Sequence, residues 1–272
     1  MNFLIKNYFT IFGIDIYFYA VIIVTGMILA SVVAGILCKR RGLPYDIIID
    51  MLIWVIPLSI IGARTYYVLC SLGEYHTFFE VINIRGGGLA IYGGIIGGTI
   101  AVAIVCRRKK LNFVKFADCA AVALILGQVI GRWGNFINGE AFGNIVTNPE
   151  HFGLPWSVNV GGLYYQATFF YESLWNFVGF IGLFLFAWLY RNKIDGLVMC
   201  AYFIWYGIGR SIIEGMRSDS LYIGNTGIRT SQALSVVLVA FGIGLAIYFI
   251  LSYRKKQSAL LIENEEKTEI KK

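Results

Sequence analysis

The stretch Phe116-Ala117-Asp118-Cys119-Ala120-Ala121-Val122-Ala123-Leu124-Ile125-Leu126-Gly127-Gln128-Val129-Ile130-Gly131-Arg132-Trp133-Gly134-Asn135-Phe136-Ile137-Asn138-Gly139-Glu140-Ala141-Phe142-Gly143 decides how this chain folds. Its first part, residues 116–137, is a largely apolar run of helix length, and Arg132, Asn135 and Asn138 stand at its end. About 20 apolar residues cross the hydrocarbon core of a bilayer, so the run reads as a transmembrane helix. An arginine there costs about 2.5–3.5 kcal/mol near the bilayer centre and less toward an interface, and such residues usually line an interior cavity or pathway. The competing reading is a side chain that snorkels from a helix end to the headgroups.

The rest of the chain repeats the apolar theme. Six further runs, at about 17–37, 47–71, 87–105, 168–190, 197–215 and 232–253, are long enough to span. With 58% apolar and 14% charged residues in 272 and a mean hydropathy of +0.69, the composition is that of a chain living in lipid. The expected fold is all-α, a polytopic membrane protein with seven transmembrane helices. Residues 1–253 form a single seven-span domain, and 254–272 a charged, solvated cytoplasmic tail.

Orientation follows from Lys and Arg, which cytoplasmic loops carry in excess. Lys39-Arg40-Arg41, Arg107-Arg108-Lys109-Lys110 with Lys115, Arg191 with Lys193, Arg254-Lys255-Lys256, Lys267, Lys271 and Lys272 all fall on one side, against Lys6, Arg85, Arg217 and Arg229 on the other. The N-terminus is therefore expected outside and the C-terminus in the cytoplasm. The net charge of +7 is then mostly topology and attraction to anionic lipid, and no nucleic-acid partner follows from it. The first run lacks a basic n-region and reads as an uncleaved span. Cys38, Cys70, Cys106, Cys119 and Cys200 form no C-x-x-C pair and read as small packing residues. The connection at about 138–167 carries no Lys or Arg and includes the alternating stretch Ser157-Val158-Asn159-Val160. It is expected to form a small extracytoplasmic cap with one hairpin.

Within this topology the polar groups gather at one level. Arg132 and Asn135 share a face of span four. Tyr206, Arg210, Glu214 and Arg217 fall at i, i+4, i+8 and i+11 on span six, a single polar stripe. Tyr19, Tyr92 and Tyr171-Glu172 lie near the outer ends of spans one, three and five. Polar groups from five spans thus converge in the outer half of the membrane, as a cavity open to the outside requires. Arg64 on span two either belongs to that cavity or pairs with a carbonyl. Arginine's planar fork matches phosphate, so an anionic phospholipid headgroup is the natural guest. Gly93, Gly94, Gly97 and Gly98 form small-xxx-small pairs suited to close helix contact. Gly131, Gly134, Gly139 and Gly143 either let backbone approach a ligand or end the helix.

The pattern Gly131-Arg132-x-Gly134-Asn135-Phe136-x-Asn138-x-Glu140-x-x-Gly143 resembles the signature of the bacterial prolipoprotein diacylglyceryl transferases. Three further stretches are similar and occur in the family's order: Gly87-Gly88-Leu89-Ala90-Ile91-Tyr92-Gly93-Gly94, Phe170-Tyr171-Glu172-Ser173, and Tyr206-Gly207-x-Gly209-Arg210-x-x-x-Glu214-x-x-Arg217-x-Asp219. The resemblance runs from about Tyr19 to span seven. It departs at Tyr92 and at Gln166-Ala167, where many members carry histidine; His76 and His151 read as surface residues of outer loops.

The resemblance implies an enzyme of the bacterial cytoplasmic (inner) membrane, its active site on the extracytoplasmic side. Such an enzyme moves the diacylglyceryl group of phosphatidylglycerol onto the lipobox cysteine of a prolipoprotein, leaving a thioether and releasing glycerol phosphate. It further implies catalytic roles for Arg132 and Arg210, and substrate contacts for Asn135, Asn138, Glu140, Gly143, Tyr19, Glu172, Tyr206 and Arg217. A thiol of pKa about 8.5 is mostly protonated at neutral pH, so a proton acceptor is needed, and Tyr92, Glu214 and Glu172 are the candidates. No metal or organic cofactor is expected, since the phosphate ester is already a leaving group. A transporter for anionic lipid or metabolite would also want arginines in an outward cavity. It would, however, more naturally show inverted repeats and broken helices, and neither is seen.

Overall fold

A computed structural model of the chain describes residues 7–75, 77–84, 87–190, 194–217, 222 and 226–269. Lys6, His76, Arg85, Gly86, Arg191, Lys193, Asp219, Lys271 and Lys272 lie outside the described residues. The elements run β1 (Tyr8–Ile11), β2 (Ile14–Tyr17), α1 (Phe18–Arg40), α2 (Ile47–Cys70), α3 (Phe78–Ile82), α4 (Ile91–Arg108), α5 (Phe113–Asn138), β3 (Ser157–Val160), β4 (Leu163–Gln166), α6 (Thr168–Leu189), α7 (Leu197–Glu214) and α8 (Thr230–Glu269). Among the described residues, seven helices are long and apolar enough to cross a membrane: α1, α2 and α4 through α8. This is a multi-pass membrane protein. The chain divides into two compact units, Cys38–Phe116 and the remainder.

In the unit Cys38–Phe116, α2 lies against α4 through glycines. A Cβ on Gly93 or Gly97 would overlap the carbonyl oxygens of Gly62 and Leu58, and one on Gly98 would lie 2.7 Å from Ser59 Oγ. The small-xxx-small reading therefore holds. Helix α4 starts at Ile91 rather than near 87, because Gly87 and Gly88 turn the chain with φ of +89° and +75° and Ala90 is extended. Arg64 takes the carbonyl reading. Its Nε donates to Val81 O at 2.7 Å, Nη2 to Glu80 O at 2.7 Å, and Nη1 to Gly88 O at 2.9 Å and Gly87 O at 3.1 Å. One guanidinium thus ties the C-terminal carbonyls of α3 to the turn before α4.

In the other unit, α6 and α7 are clasped by two tryptophans. Trp175 and Trp205 stack at 4.6 Å with planes 22° apart, and each indole N–H donates to the other's carbonyl oxygen at 3.2 Å. Gly179 and Gly209 make the space, since a Cβ at either would overlap the opposite indole. Against α7, α8 comes close at Gly207, where a Cβ would lie 2.7 Å from Val239 Cγ2. Helix α8 does not stop at Tyr253. It continues to Glu269, 40 residues in all, or about 60 Å at 1.5 Å per residue, roughly twice the hydrocarbon core. The tail beyond the span is thus helical, with Glu263 and Lys267 paired at 2.5 Å along it.

The N-terminus of α7 is capped from α5. Asp118, fully buried, accepts from Gly196 N at 2.8 Å and Met199 N at 2.8 Å, placing a carboxylate at the positive end of the helix. Asp118→Ala is expected to cost about 2 kcal/mol of stability, read as a lower Tm in detergent, while Asp118→Asn, which keeps an acceptor, recovers part of it.

The connection between α5 and α6 builds the expected hairpin. β3 and β4 pair antiparallel with Ser157 opposite Gln166, and Val158, Ala167 and Phe169 form a small core packed by Phe136, Phe142, Val160 and Phe170. Tyr171 Oη donates to Trp156 O at 2.8 Å, so this tyrosine fastens the connection to α6. A second hairpin, β1–β2, turns at Phe12-Gly13 with φ of +51° and +80°. Hydropathy counting gave no sign of it. Of the five cysteines, all free, Cys38, Cys106, Cys119 and Cys200 are buried as packing residues, and Cys70 is exposed at the end of α2.

Candidate active site

Three helices of one unit bring their charges together. Arg132 near the end of α5, Glu172 in the first turns of α6 and Arg210 on α7 meet at a single carboxylate. Arg132 Nη2 lies 2.5 Å from Glu172 Oε1, and Arg210 Nη1 lies 3.2 Å from Glu172 Oε2. Arg210 then uses Nη2 for Glu214 Oε2, one turn further along α7, at 2.6 Å. The chain of charges reads Arg132, Glu172, Arg210, Glu214. The carboxylate side chains are 5% and 3% exposed, while the arginines are 21% and 15% exposed, so an arriving ligand meets the cations first. Two positive and two negative charges cancel formally, and this lets four ionised groups sit together at low solvent exposure.

Around this chain stands a polar shell from the 131–143 segment. Arg132 Nη1 donates to Asn135 Oδ1 at 3.3 Å, Asn135 Nδ2 to Glu140 Oε1 at 3.0 Å, and Asn138 Nδ2 to the same oxygen at 3.3 Å. Glu140 comes back over the helix end because Gly139 takes φ +67° and Glu140 N donates to Asn135 O at 3.1 Å. Gly134 is a packing requirement of Tyr19: a Cβ there would lie 2.8 Å from the tyrosine ring. Gly143 is required by the strand-like contacts beside it. Its N donates to Gln166 O at 3.0 Å, it bridges Arg217, and a Cβ would fall 2.7 Å from Gln166 Cβ and 2.9 Å from Met216 O. These glycines therefore serve protein packing and turns.

The structure refines the sequence reading at several points. Tyr206, Arg210 and Glu214 share a face of α7, but the helix ends at Glu214, so Arg217 does not continue the stripe. Tight i→i+3 bonds, Met216 N to Ile213 O at 2.9 Å and Arg217 N to Glu214 O at 3.3 Å, turn the chain out of the helix and deliver Arg217 to Gly143. Tyr206 stacks on Tyr202 at 5.8 Å. Tyr92 belongs to the other unit, where its ring meets Tyr66 edge-on at 6.3 Å. Gln166, at one of the departures from the family pattern, fixes the loop: its Oε1 accepts from Asn144 N at 3.3 Å. His151 is exposed beside Trp156. Among the described residues no cluster of His, Cys, Asp and Glu is arranged to hold a metal.

Two contributors escaped the sequence reading. Arg229, just ahead of α8, donates from Nη1 to the carbonyl oxygen of Glu214; it had registered only as one of few basic residues on its side. The Trp175–Trp205 clasp sets the α6–α7 register that brings Glu172 to Arg210. Its signal was two tryptophans, each four residues before a glycine of its own helix, a pattern that acquires meaning only once the pairing of the helices is known.

Comparison with known proteins identifies the family. The family model described as prolipoprotein diacylglyceryl transferase matches residues 6–248. A phosphatidylglycerol--prolipoprotein diacylglyceryl transferase of Finegoldia magna is 44% identical over 260 residues, covering 95% of this chain and 98% of that protein. One from Clostridium perfringens is 42% identical, covering 93% and 98%, and one from Listeria innocua is 45% identical, covering 87% and 86%. With the signature residues of α5, α6 and α7 drawn into one charged site and the match running almost end to end, the chain belongs to the prolipoprotein diacylglyceryl transferase family.

Proposed function

We propose that this protein transfers the diacylglyceryl group of phosphatidylglycerol to the lipobox cysteine of prolipoproteins, in the cytoplasmic membrane of a bacterium, and that its site opens to the extracytoplasmic side. The side is supported by the distribution of Lys and Arg between loops. The observation that carries the reaction is the run Arg132, Glu172, Arg210, Glu214.

The thiol sulfur attacks the glyceryl carbon that bears the phosphate ester. A carbon–sulfur bond forms, the carbon–oxygen bond breaks, and glycerol phosphate leaves with the electron pair. Negative charge grows on the leaving phosphate where water is scarce, and fixed cationic donors aimed at developing charge accelerate such a step. Glu172 and Glu214 hold the two guanidinium planes in place before substrate arrives, so little reorganisation is needed during reaction. Asn135, Asn138 and Glu140 line the headgroup side, and Tyr19, Tyr206, Gly143 and Arg217 shape the walls around it.

The thiol proton must pass to a base, and we assign that part to Tyr92 on its place in the motif Gly87–Gly94. Glu214 and Glu172 are the alternative acceptors. Tyr92→Phe is expected to lower kcat by about tenfold with KM for phosphatidylglycerol little changed, measured by initial rates. An unchanged kcat removes Tyr92 from the scheme. The deciding experiment for the whole reading incubates the purified protein with phosphatidylglycerol and a lipobox peptide and follows the peptide by mass spectrometry. A gain of one diacylglyceryl group on cysteine is expected; an unmodified peptide, with the protein folded and lipid bound, refutes the transfer.

A further inference from the structure

One helical turn from Arg132 on α5 and from Glu172 on α6 lies a second polar layer that the reaction scheme does not use, which the Tyr202 hydroxyl reaches from two turns below Arg210 on α7. Gln128 precedes Arg132 by four residues on α5, Asn176 follows Glu172 by four on α6, and Tyr202 precedes Tyr206 by four on α7, so each shares the face of its charged or aromatic neighbour. All three displacements point the same way. Helix α6 runs antiparallel to α5, since Ser173 donates to Val129 O at 2.9 Å while Gly179 lies beside Ile125. It is also antiparallel to α7, since Trp175 meets Gly209 and Trp205 meets Gly179.

This layer is incompletely satisfied. Asn176 is 1% exposed, yet its Nδ2 has no hydrogen-bond partner among the described residues, and neither has Gln128 Oε1. Gln128 Nε2 donates to Tyr202 Oη at 2.9 Å. Turning the Gln128 amide over lets the Tyr202 hydroxyl donate to Oε1 and presents Nε2 as a second free donor. A buried amide donor with nothing to bind is costly, the more so within a membrane, so Asn176 calls for a guest that accepts.

We propose that Asn176, with Gln128 held by Tyr202, binds the ester carbonyls of the donor lipid's diacylglyceryl group. The proposal rests on the function given above and deepens it by naming the lipid class. In a glycerophospholipid the ester carbonyls lie a few bonds below the phosphate, comparable with the about 5.4 Å of one helical turn. A phosphate at Arg132 and Arg210 thus carries its carbonyls to the depth of Asn176. Anchoring phosphate and ester on either side of the reacting carbon fixes that carbon for attack.

The test compares diester phosphatidylglycerol with its diether analogue of equal headgroup and chain length, which lacks the carbonyls. Both binding to the purified protein and transfer to a lipobox peptide are measured. The wild-type protein is expected to prefer the diester by about fivefold or more in each. Asn176→Leu is expected to bring the ratio near one by lowering the diester values far more than the diether values, and Gln128→Leu to move it the same way. Each ratio is taken within one sample, so a partly misfolded variant does not distort it. A wild-type ratio near one, a ratio unchanged in Asn176→Leu, or binding of neither lipid overturns the proposal. Preferential diester binding that Asn176→Leu abolishes, without transfer from either lipid, upholds the ester layer and refutes the transferase reading instead.

Discussion

Arg132→Ala and Arg210→Ala are each expected to lower turnover at least about a hundredfold, since one fixed donor to developing charge contributes about 2.7–4 kcal/mol to the barrier. The two variants should differ in stability. Removing Arg132 leaves Glu172 paired with Arg210, whereas removing Arg210 takes a partner from Glu172 and Glu214 together. Arg210→Ala is therefore expected to show the lower Tm of the two. Lysine at either position restores the charge but not the planar fork that grips two oxygens, so Arg132→Lys and Arg210→Lys should recover only a small part of the lost rate. Initial rates of peptide lipidation by purified, monodisperse protein decide the matter. Near-normal turnover in either alanine variant would show that phosphate charge is stabilised elsewhere.

Glu172→Leu should be the most damaging single change to the folded state. One buried carboxylate receives both arginines, and breaking a buried ion pair by removing one partner costs about 3–5 kcal/mol because the remaining charge is left without compensation. Thermal unfolding in detergent should show a large fall in Tm, with activity lost. The double variant Glu172→Leu/Arg132→Met removes the stranded cation, and Arg210 keeps Glu214. Its Tm should rise above that of Glu172→Leu while its activity stays lost. A double variant no more stable than the single one would mean that the pairing contributes little to folding and that Glu172 acts in the reaction alone.

How much of this was legible in the chain can be judged residue by residue. The seven apolar runs give the seven spanning helices to within a few residues, except where Gly87-Gly88 delays α4 and where α8 runs on past Tyr253. Arg132, Glu172, Arg210 and Glu214 stood out because each is a charged residue inside or beside an apolar run, a local anomaly visible without coordinates. That the two arginines would share Glu172 was not visible, nor that Asp118 would cap α7, Gly134 receive Tyr19, or Arg217 leave the helix for Gly143.

The sequence by itself determined that this chain crosses a membrane seven times and which residues could not be resting idly in lipid. Bilayer insertion is set by the summed transfer cost of about 20 consecutive residues, a quantity that any stretch carries within itself. Only the tertiary structure decided which charges meet, because pairing depends on the register of one helix against another. That register is fixed by contacts far apart in sequence, such as Trp175 against Gly209 and Trp205 against Gly179. A slip of one turn, about 5.4 Å, would part Glu172 from Arg210 while leaving every hydropathy window unchanged.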